Sequence, residues 1–421
     1  MTGLLLTGGT VLPMTGTDEA LVGHDVLCQD GTITAVVPTG TLDPARTAGA
    51  EVVDCTGRWV LPGFVDAHVH LTTVQGADPL ELLTAPASLR VLRAVPALRA
   101  TLDAGITTVR DLSGADDGMR TAVAEGTVAG PRLLLALRIL SITGGHGDWR
   151  SISGVDLTGG SRGGVVADGP AEFVRATREV VREGADWVKV AASGGMGSPR
   201  SEPDHGGLTE AELRAVVEEG ARHAVAGVAA HAQGTAAIAA AVRAGVRSIE
   251  HGYGLDEPTL DLLLERGTFL VPTLATLRRP VSPTAPPWLR RKRENWLRRG
   301  EENLARAFAA GAPVVLGTDA GVVPHGANLA ELGHLVELGM SPLDALRAGT
   351  STAAHMLDLE DEIGSLRPGL RADVLVVDVD PLRRAADLAD PQHVRRVVLG
   401  GRTAVDREPS IRPTFHEEAV R

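Results

Sequence analysis

The segment Val60-Leu-Pro-Gly-Phe-Val-Asp-Ala-His-Val-His-Leu71 carries an apolar run that ends in two histidines. Side chains two residues apart on a β-strand point to the same face, so His68 and His70 would project together from the end of one strand. Two imidazole nitrogens on a backbone held by a sheet are well suited to begin a divalent-metal site. Taken alone, the pair equally fits two polar residues that close a strand, so the later strands must decide.

The composition predicts a large protein without a membrane segment. At 421 residues the chain exceeds the roughly 250–300 residues at which single cores stop growing, which predicts one large domain and a smaller one. No apolar run approaches the ~18 residues of a membrane span, and the first residues lack a signal-peptide pattern. The net charge of −12 argues against nucleic acid or an anionic membrane as a partner. We expect a cytoplasmic protein with a small-molecule substrate, either monomeric or a homo-oligomer.

Cysteine and lysine are both rare. Cys28 and Cys55 are the only cysteines, too few for a disulfide framework or a zinc–thiolate site. Of the 41 basic residues only Lys189 and Lys292 are lysines, so a lysine retained in this chain is expected to need amine chemistry that a guanidinium cannot supply. Lys292 lies in Arg-Arg-Lys-Arg-Glu, which predicts a solvated basic face. Lys189 lies in Trp-Val-Lys-Val-Ala-Ala, a buried-strand pattern that does not explain its charge.

Strand and helix patterns alternate through the middle of the chain. The predicted strands are 60–71, 107–112, 132–140, 187–193, 228–232, 248–252, 269–274 and 313–319. The predicted helices are 87–104, 116–125, 170–183, 209–226, 235–244, 257–266, 287–310, 328–338 and 342–357. Eight repetitions over about 300 residues favour an α/β fold of the (β/α)8 TIM-barrel type. A doubly wound sheet is the alternative, but its first strand usually precedes a Gly-rich phosphate loop, whereas this one ends in His-Val-His.

Short β-rich segments flank the alternating region on both sides. Asp30-Gly31 is a hairpin-turn signal between two such segments, and β-rich runs return after about residue 360. We therefore predict a composite β-sandwich domain from 1–58 and 362–421, and a barrel domain from 59–361.

The ends of several predicted strands carry residues that bind metals. The carboxyl ends of barrel strands converge on one mouth, so these side chains are expected to meet. They are His68, His70, Lys189, His231, His251 and Asp319. One such residue is weak evidence, but this many in strand order predict a metal site.

This pattern resembles the amidohydrolase superfamily of metal-dependent hydrolases over nearly the whole chain. The loop Gly144-Gly-His-Gly147 and the motifs Val-Lys-Val-Ala-Ala-Ser-Gly-Gly and Ile-Glu-His-Gly are similar to its imidazolonepropionase-like and prolidase-like branch. Residues 369–378, Gly-Leu-Arg-Ala-Asp-Val-Leu-Val-Val-Asp, resemble the return of that family into its β-sandwich. The resemblance implies hydrolysis of a C–N amide bond in a dipeptide or an N-acyl amino acid.

The resemblance also implies a binuclear centre in which Lys189 is carbamylated by CO2 and bridges two divalent ions. Zinc is the metal expected, although the ligand set admits manganese or cobalt. The implied ligands are His68, His70 and Asp319 for the inner ion, and His231 and His251 for the outer one. Hydroxide shared by the two ions would attack the carbonyl, and Asp319 would move its proton to the leaving nitrogen.

Further residues are weaker candidates. His146, in a Gly-rich loop, would stabilise the developing oxyanion or hold the substrate, and otherwise would only pack the loop. Tyr253 and His325 lie close in sequence to predicted ligands and are candidates for substrate contact; each would otherwise be an ordinary packed side chain. Asp66 is expected to orient the first strand by hydrogen bonds without binding metal. The basic run Arg290–Arg299 would attract an anionic substrate, but a solvated helix face is the favoured interpretation.

Two other functions fit the same barrel. A mononuclear cyclic-amide hydrolase or deaminase is the first, although such a centre does not need a lysine bridge. A non-catalytic interaction protein is the second, although loss of ligands would then be expected. A metal content of about two, one or no ions per chain distinguishes the three. Substrate identity depends on loops whose preference the sequence does not specify.

Overall fold

The computed structural model describes residues 3–16, 19–73, 85–150, 153–154, 163–197 and 201–407. In chain order its strands are β1 (Gly3–Val11), β2 (Leu21–Gln29), β3 (Thr32–Pro38), β4 (Glu51–Asp54), β5 (Trp59–Pro62), β6 (Phe64–Val69), β7 (Ile106–Asp111), β8 (Arg132–Leu135), β9 (Ile139–Ser141), β10 (Gly164–Val166), β11 (Val188–Ala191), β12 (Val228–Ala232), β13 (Ser248–His251), β14 (Phe269–Val271), β15 (Val374–Val377), β16 (Val394–Leu399) and β17 (Arg402–Asp406). Its helices are α1 (Pro44–Thr47), α2 (Ala87–Asp103), α3 (Asp117–Ala124), α4 (Pro170–Arg182), α5 (Glu210–Arg222), α6 (Thr235–Ala244), α7 (Glu257–Arg266), α8 (Leu274–Leu277), α9 (Pro287–Ala309), α10 (Ala330–Glu337), α11 (Pro342–Ala348) and α12 (Ser351–Met356).

Both ends of the described chain contribute to one mixed sheet. Its strand order is β17-β16-β15-β5-β1-β2-β3, with β4 paired to β1. The predicted hairpin turn is confirmed, because Asp30 and Gly31 have φ of 48° and 86° and join the antiparallel pair β2–β3. Positive φ at both turn residues is what a two-residue hairpin of matching twist requires. The predicted union of the two β-rich ends is therefore present as an eight-stranded sheet, while the domain boundaries stay predictions.

The alternating region forms two parallel sheets. One has the order β6-β7-β8 and the other β10-β9-β11-β12-β13-β14. Most of their strands are buried along their length, as in β6, where every residue is buried, because helices cover parallel sheets. Strands β8 and β10 are only partly buried. The α/β class is confirmed. The predicted third strand, 132–140, is wrong as a single element: it divides into β8 and β9, and Leu137 between them has φ of 63°, which interrupts an extended strand.

The predicted eighth strand, 313–319, forms only isolated bridges to its two neighbours. Val314 pairs with Leu270 of β14, and Ala320, directly after the predicted strand, pairs with Val69 at the end of β6. The amide of Ala67 also donates to the carbonyl of Leu316 over 2.9 Å. The segment thus contacts both parallel sheets, but the hydrogen bonds do not complete one closed ladder.

Two predicted helices have different bounds in the structure. The capping box of α5 is confirmed, since Thr209 and Glu212 exchange both hydrogen bonds, but the helix ends at Arg222 because Ala224 has φ of 55°. The predicted helix 342–357 is wrong as one element, since it breaks into α11 and α12 at Thr350, where φ is −132° and ψ is −99°. Within the described ranges no helix is long and apolar enough to cross a membrane.

Candidate metal centre

His68 and His70 both face Asp319. His68 is buried near the end of β6, and His70 follows immediately after the strand. Their Nε2 atoms lie 3.7 Å and 3.4 Å from Oδ1 of Asp319. The Asp319 amide donates to the carbonyl of His68 over 2.7 Å, and φ of Asp319 is 59°, a conformation that aspartate adopts more readily than most residues. The backbone therefore fixes the carboxylate beside the two imidazoles.

His231 and His251 extend this group from neighbouring strands. His231 lies on β12 and His251 ends β13, where Ala232 pairs with His251. The ring centroids of His231 and His251 are 4.7 Å apart, and those of His68 and His251 are 5.2 Å apart. His68, His251 and Asp319 each offer a ligand atom, and these three atoms lie within 4.8 Å of one another. A three-ligand metal site is thus available.

Lys189 lies on β11 beside the same histidines. It is 2% exposed, and its Nζ has no hydrogen-bond partner among the described residues. Burial lowers the pKa of Lys189 to about 8. The charge of Lys189 in turn lowers the pKa of His68, His231 and His251, after the larger effect of burial. An amine whose pKa falls this far is partly neutral near pH 8, and only the neutral amine is nucleophilic.

The donor set fits a divalent cation. Burial holds the pKa values of His68, His231 and His251 well below the usual range for imidazole, so the rings are neutral and keep a free lone pair at neutral pH. Neutral imidazole and carboxylate are ligands that zinc and related ions accept. The unpartnered amine of Lys189 is also explained if a bound group supplies its missing interactions.

A buried ion pair that the sequence interpretation missed orients His68. Nδ1 of His68 lies 2.8 Å from Oε2 of Glu250, and Oε1 of Glu250 accepts hydrogen bonds from Arg110 (2.8 Å) and Ser248 (2.5 Å). Arg110 and Glu250 are both fully buried, and the Arg110 guanidinium stacks 4.4 Å above the Trp187 ring. An ionised carboxylate only accepts hydrogen bonds, so Nδ1 carries the proton and Nε2 keeps the lone pair for a metal.

Hydrogen bonds also orient the other three predicted histidine ligands. Two are held through Nδ1, as His68 is, and one through Nε2. Nδ1 of His70 lies 3.0 Å from Oγ of Ser113, and Nδ1 of His251 lies 2.8 Å from Oγ1 of Thr273. In His231 it is Nε2 that faces a carbonyl, that of Gly194, at 3.0 Å. Nδ1 is therefore the nitrogen that His231 can offer to a metal.

His146 lies directly against the predicted ligands. Its ring stacks on that of His231 with centroids 4.2 Å apart and planes 9° from parallel. It also packs on the backbone of Gly195, where an added Cβ would lie only 2.4 Å from Cε1 of His146. The glycine is thus required for this close approach, and the loop holds His146 next to the centre. Its contribution to catalysis stays a prediction.

Tyr253 is buried behind His251. Its hydroxyl lies 2.9 Å from Oγ1 of Thr273, the same atom that contacts His251, and burial strongly raises the pKa of the phenol. Glu331 fixes the turn around Thr273 by accepting hydrogen bonds from the amides of Leu274 (2.6 Å) and the next residue (2.8 Å). The observed contacts of Tyr253 are thus internal, and substrate contact stays a prediction.

His325 and Asp66 both contact the backbone of the segment that carries His68 and His70. Burial lowers the pKa of His325 to about 4, against the opposing effect of the His70 carbonyl, so this imidazole is neutral near pH 7. Asp66 accepts hydrogen bonds from the amide of His68 (3.1 Å), from the Thr318 hydroxyl (2.6 Å) and from Asn328 (2.8 Å). The prediction that Asp66 orients the first strand by hydrogen bonds is confirmed.

Lys292 is not on a solvated face, and this prediction is wrong. It is 5% exposed, and Nζ donates to the carbonyl of Ser201 over 2.9 Å and pairs with Glu202 at 3.1 Å. Its neighbour Arg293 is also buried. The inner face of α9 contacts the loop after β11, so part of the basic run points into the protein.

Comparison with known proteins agrees with this geometry. Residues 59–404 match the amidohydrolase family. Ochratoxinase from Aspergillus niger is 32% identical over 367 residues, which cover 82% of this chain and 75% of that protein. Imidazolonepropionase from Chromobacterium violaceum is 28% identical over 425 residues, covering 92% and 93% of the two chains.

A solved structure, a prolidase complexed with N-methylphosphonate-L-proline, is 34% identical and superposes with a TM-score of 0.88, covering 97% of this chain and 100% of the other. The predicted resemblance to imidazolonepropionase-like and prolidase-like proteins is confirmed by these matches. The chain belongs to the amidohydrolase family of hydrolases that act on carbon–nitrogen bonds.

Proposed function

We propose that this protein is a binuclear metal-dependent amidohydrolase that cleaves the amide bond of a dipeptide or an N-acyl amino acid. One observation carries the proposal: Lys189, buried and without a hydrogen-bond partner among the described residues, lies close to His68, His231 and His251 and to Asp319. A lone buried ammonium is costly, whereas a carbamate that bridges two cations would explain why Lys189 is buried at this position. Similarity to a prolidase and to an ochratoxinase supports the substrate class.

We also propose that the two parallel sheets form one closed (β/α)8 barrel. The segment 313–320 supports this, because it bonds to Ala67 and the end of β6 on one side and to Leu270 on the other. At the other edge of the three-stranded sheet, the amide of Trp187 donates to the carbonyl of Leu135 over 3.1 Å. This bond connects the end of β8 to the residue directly before β11. A barrel mouth would account for the convergence of side chains from five strand segments.

The residues that would hold the metals follow from the donor set. His68, His70 and Asp319 would bind one ion, His231 and His251 the other, and carbamylated Lys189 both. Zinc is the metal we expect. Two bound ions would lower the pKa of a bound water and polarise the substrate carbonyl.

The protein's own residues would position the substrate and move the proton. Asp319 lies within 3.7 Å of the Nε2 atoms of His68 and His70. Its carboxylate would accept a proton from the attacking water and return it to the leaving nitrogen. His146 would donate a hydrogen bond to the carbonyl oxygen as negative charge develops on it. Glu250 would keep His68 in the tautomer that binds metal.

A mononuclear hydrolase or deaminase is the second candidate. The observation in its favour is the compact group of His68, His251 and Asp319, whose ligand atoms lie within 4.8 Å of one another. Such a site needs no lysine bridge, and the burial of Lys189 would then serve only the fold.

A substrate panel tests the proposed function. The zinc-loaded protein, prepared with bicarbonate, would be assayed against dipeptides, N-acetyl amino acids, cyclic amides and amino-substituted heterocycles. We expect release of free amino acids from the first two classes. Turnover confined to the last two classes would overturn the proposal in favour of the mononuclear candidate.

A further inference from the structure

Helix α9 packs against the loops that follow β11 and β13. Besides the contacts of Lys292 with the loop after β11, the side chain of Asn303 donates to the carbonyl of Tyr253 over 2.9 Å, in the loop after β13. Arg299 pairs with Asp204 at 3.0 Å. These contacts span the helix and fix its inner face against the loops at the carboxyl ends of the parallel strands.

Arg293, on this inner face, is a buried guanidinium without a carboxylate partner. It is 7% exposed, and NH1 donates to the carbonyl of Thr276 over 2.7 Å. Among the described residues it forms no ion pair. Arg279 lies close enough for its positive charge to lower the pKa of Arg293, after the effect of burial, and NH1 of Arg279 likewise donates only to a carbonyl, that of Val322 (2.7 Å). Two positively charged side chains, Arg279 and Arg293, therefore lie near each other, and each donates to an uncharged carbonyl oxygen.

The other buried arginines of the described chain are paired with acids. Arg110 contacts Glu250 at 2.8 Å, and Arg396 contacts Glu51 at 2.7 Å and Asp406 at 2.8 Å. Removal of a guanidinium from water is costly unless an anion compensates it. Of the buried arginines in the described chain, Arg293 is thus the one that lacks an acidic partner. This exception indicates that a bound ligand supplies the compensating anion.

Arg293 lies close to Asp319 of the candidate metal centre. Burial has the largest effect on the pKa of Arg293 and lowers it, and the carboxylate of Asp319 lies near enough to oppose that shift. Its partner Thr276 also donates from Oγ1 to the carbonyl of Thr318 over 3.3 Å, directly before Asp319. Arg293 therefore lies on the Asp319 side of the centre, where the proposed function has the leaving nitrogen receive its proton.

We propose that Arg293, supported by Arg279, binds the α-carboxylate of the amino acid on the leaving side of the scissile amide. The inference rests on the proposed function and assigns the residue that recognises the free α-carboxylate of its dipeptide or N-acyl amino acid substrates. The planar guanidinium presents paired N–H donors that match a carboxylate. In such a substrate the carboxylate is attached to the carbon next to the leaving nitrogen, so binding at Arg293 aims that nitrogen at Asp319.

The experiment compares each acid with its carboxamide in the full-length, metal-loaded protein. The best dipeptide of the panel and its C-terminal amide give kcat/KM, and calorimetric titration with L-proline and L-prolinamide gives Kd without turnover. The variants are Arg293→Gln, Arg293→Lys, and the control Arg306→Gln, which removes an exposed charge from the same helix. We expect the wild type and the control to prefer the acid by about 10- to 100-fold in both measurements.

Arg293→Gln is expected to lose this preference because its kcat/KM falls further for the acid than for the carboxamide, and Arg293→Lys is expected to retain part of the preference. Equal losses for acid and amide in Arg293→Gln would assign the residue to the fold and overturn the inference. An unchanged acid preference in that variant would also overturn it. Selective binding of L-proline that depends on Arg293, without turnover of any dipeptide, would support the carboxylate site and overturn only the proposed function.

Discussion

Glu250→Gln tests whether the carboxylate that contacts His68 sets the tautomer of this predicted metal ligand. In the wild type, one oxygen of Glu250 accepts hydrogen bonds from Arg110 and Ser248, and the other faces Nδ1 of His68 at 2.8 Å. A glutamine has only one oxygen, which the two donors will orient toward themselves. Its NH2 group then faces His68, so Nδ1 must become an acceptor and the ring proton moves to Nε2. His68 would present N–H where the metal needs a lone pair.

The magnitude follows from burial. Arg110 and Glu250 are fully buried, so removal of the carboxylate charge leaves the guanidinium uncompensated, at a cost of about 3–5 kcal/mol in the free energy of unfolding. Loss of the group that orients a metal-binding histidine weakens metal affinity by about 10- to 100-fold.

Chelator competition would measure zinc affinity in wild type and Glu250→Gln, and denaturant unfolding would measure the stability of the metal-free proteins. The matched control is Glu219→Gln, which removes a carboxylate paired with Arg178 and His223 on helix α5. We expect the control to keep its zinc affinity. Zinc affinity within twofold of the wild type in Glu250→Gln would refute the tautomer reasoning.

Three further predictions follow from individual side chains. Lys189→Arg is expected to be inactive because guanidinium does not form the anionic bridge, and acetate or propionate should partly restore metal content and activity to Lys189→Ala; an active Lys189→Arg protein would contradict the bridge. Asp319→Asn should lower kcat by several orders of magnitude with little change in KM, and a wild-type kcat would move the proton transfer to another group. Burial raises the pKa of Glu331 from 4.5 to about 8, so the folded state holds this proton more tightly than the unfolded chain, and stability falls as the pH rises from about 4.5 through 8. Glu331→Gln should show a smaller decrease in melting temperature between pH 5.5 and 8.5 than the wild type, and an equal decrease would assign the pH dependence to other groups.

The sequence was sufficient where a simple periodicity connects residue order to geometry. Residues at the ends of parallel strands converge, so His68, His231, His251 and Lys189 were predicted to meet from strand order, and their ring contacts and mutual charge effects show that they are close together. Asp66 was likewise expected to orient the first strand by hydrogen bonds, and it accepts one from the amide of His68.

Other features depend on packing between distant segments. Glu250 and Arg110 lie 140 residues apart, and no local pattern indicates that they share a buried ion pair. The division of the third strand depends on the conformation of Leu137, which has no signal in a leucine-rich run. The inward face of α9 was detectable: Lys292 and Arg293 are three to four residues before Trp296, a spacing that sets them on one helical face, and the buried residues Trp296 and Gly300 continue that face.

Metal stoichiometry tests the binuclear centre most directly. The full-length wild-type protein, reconstituted with zinc in bicarbonate buffer and freed of excess metal, would be analysed by inductively coupled plasma mass spectrometry, with Lys189→Arg prepared in parallel. We predict about two ions per wild-type chain and at most about one in the variant, because the carbamate bridge needs the amine. One ion per chain in both proteins would contradict the binuclear centre, and no bound metal in the wild type would contradict metal-dependent catalysis altogether.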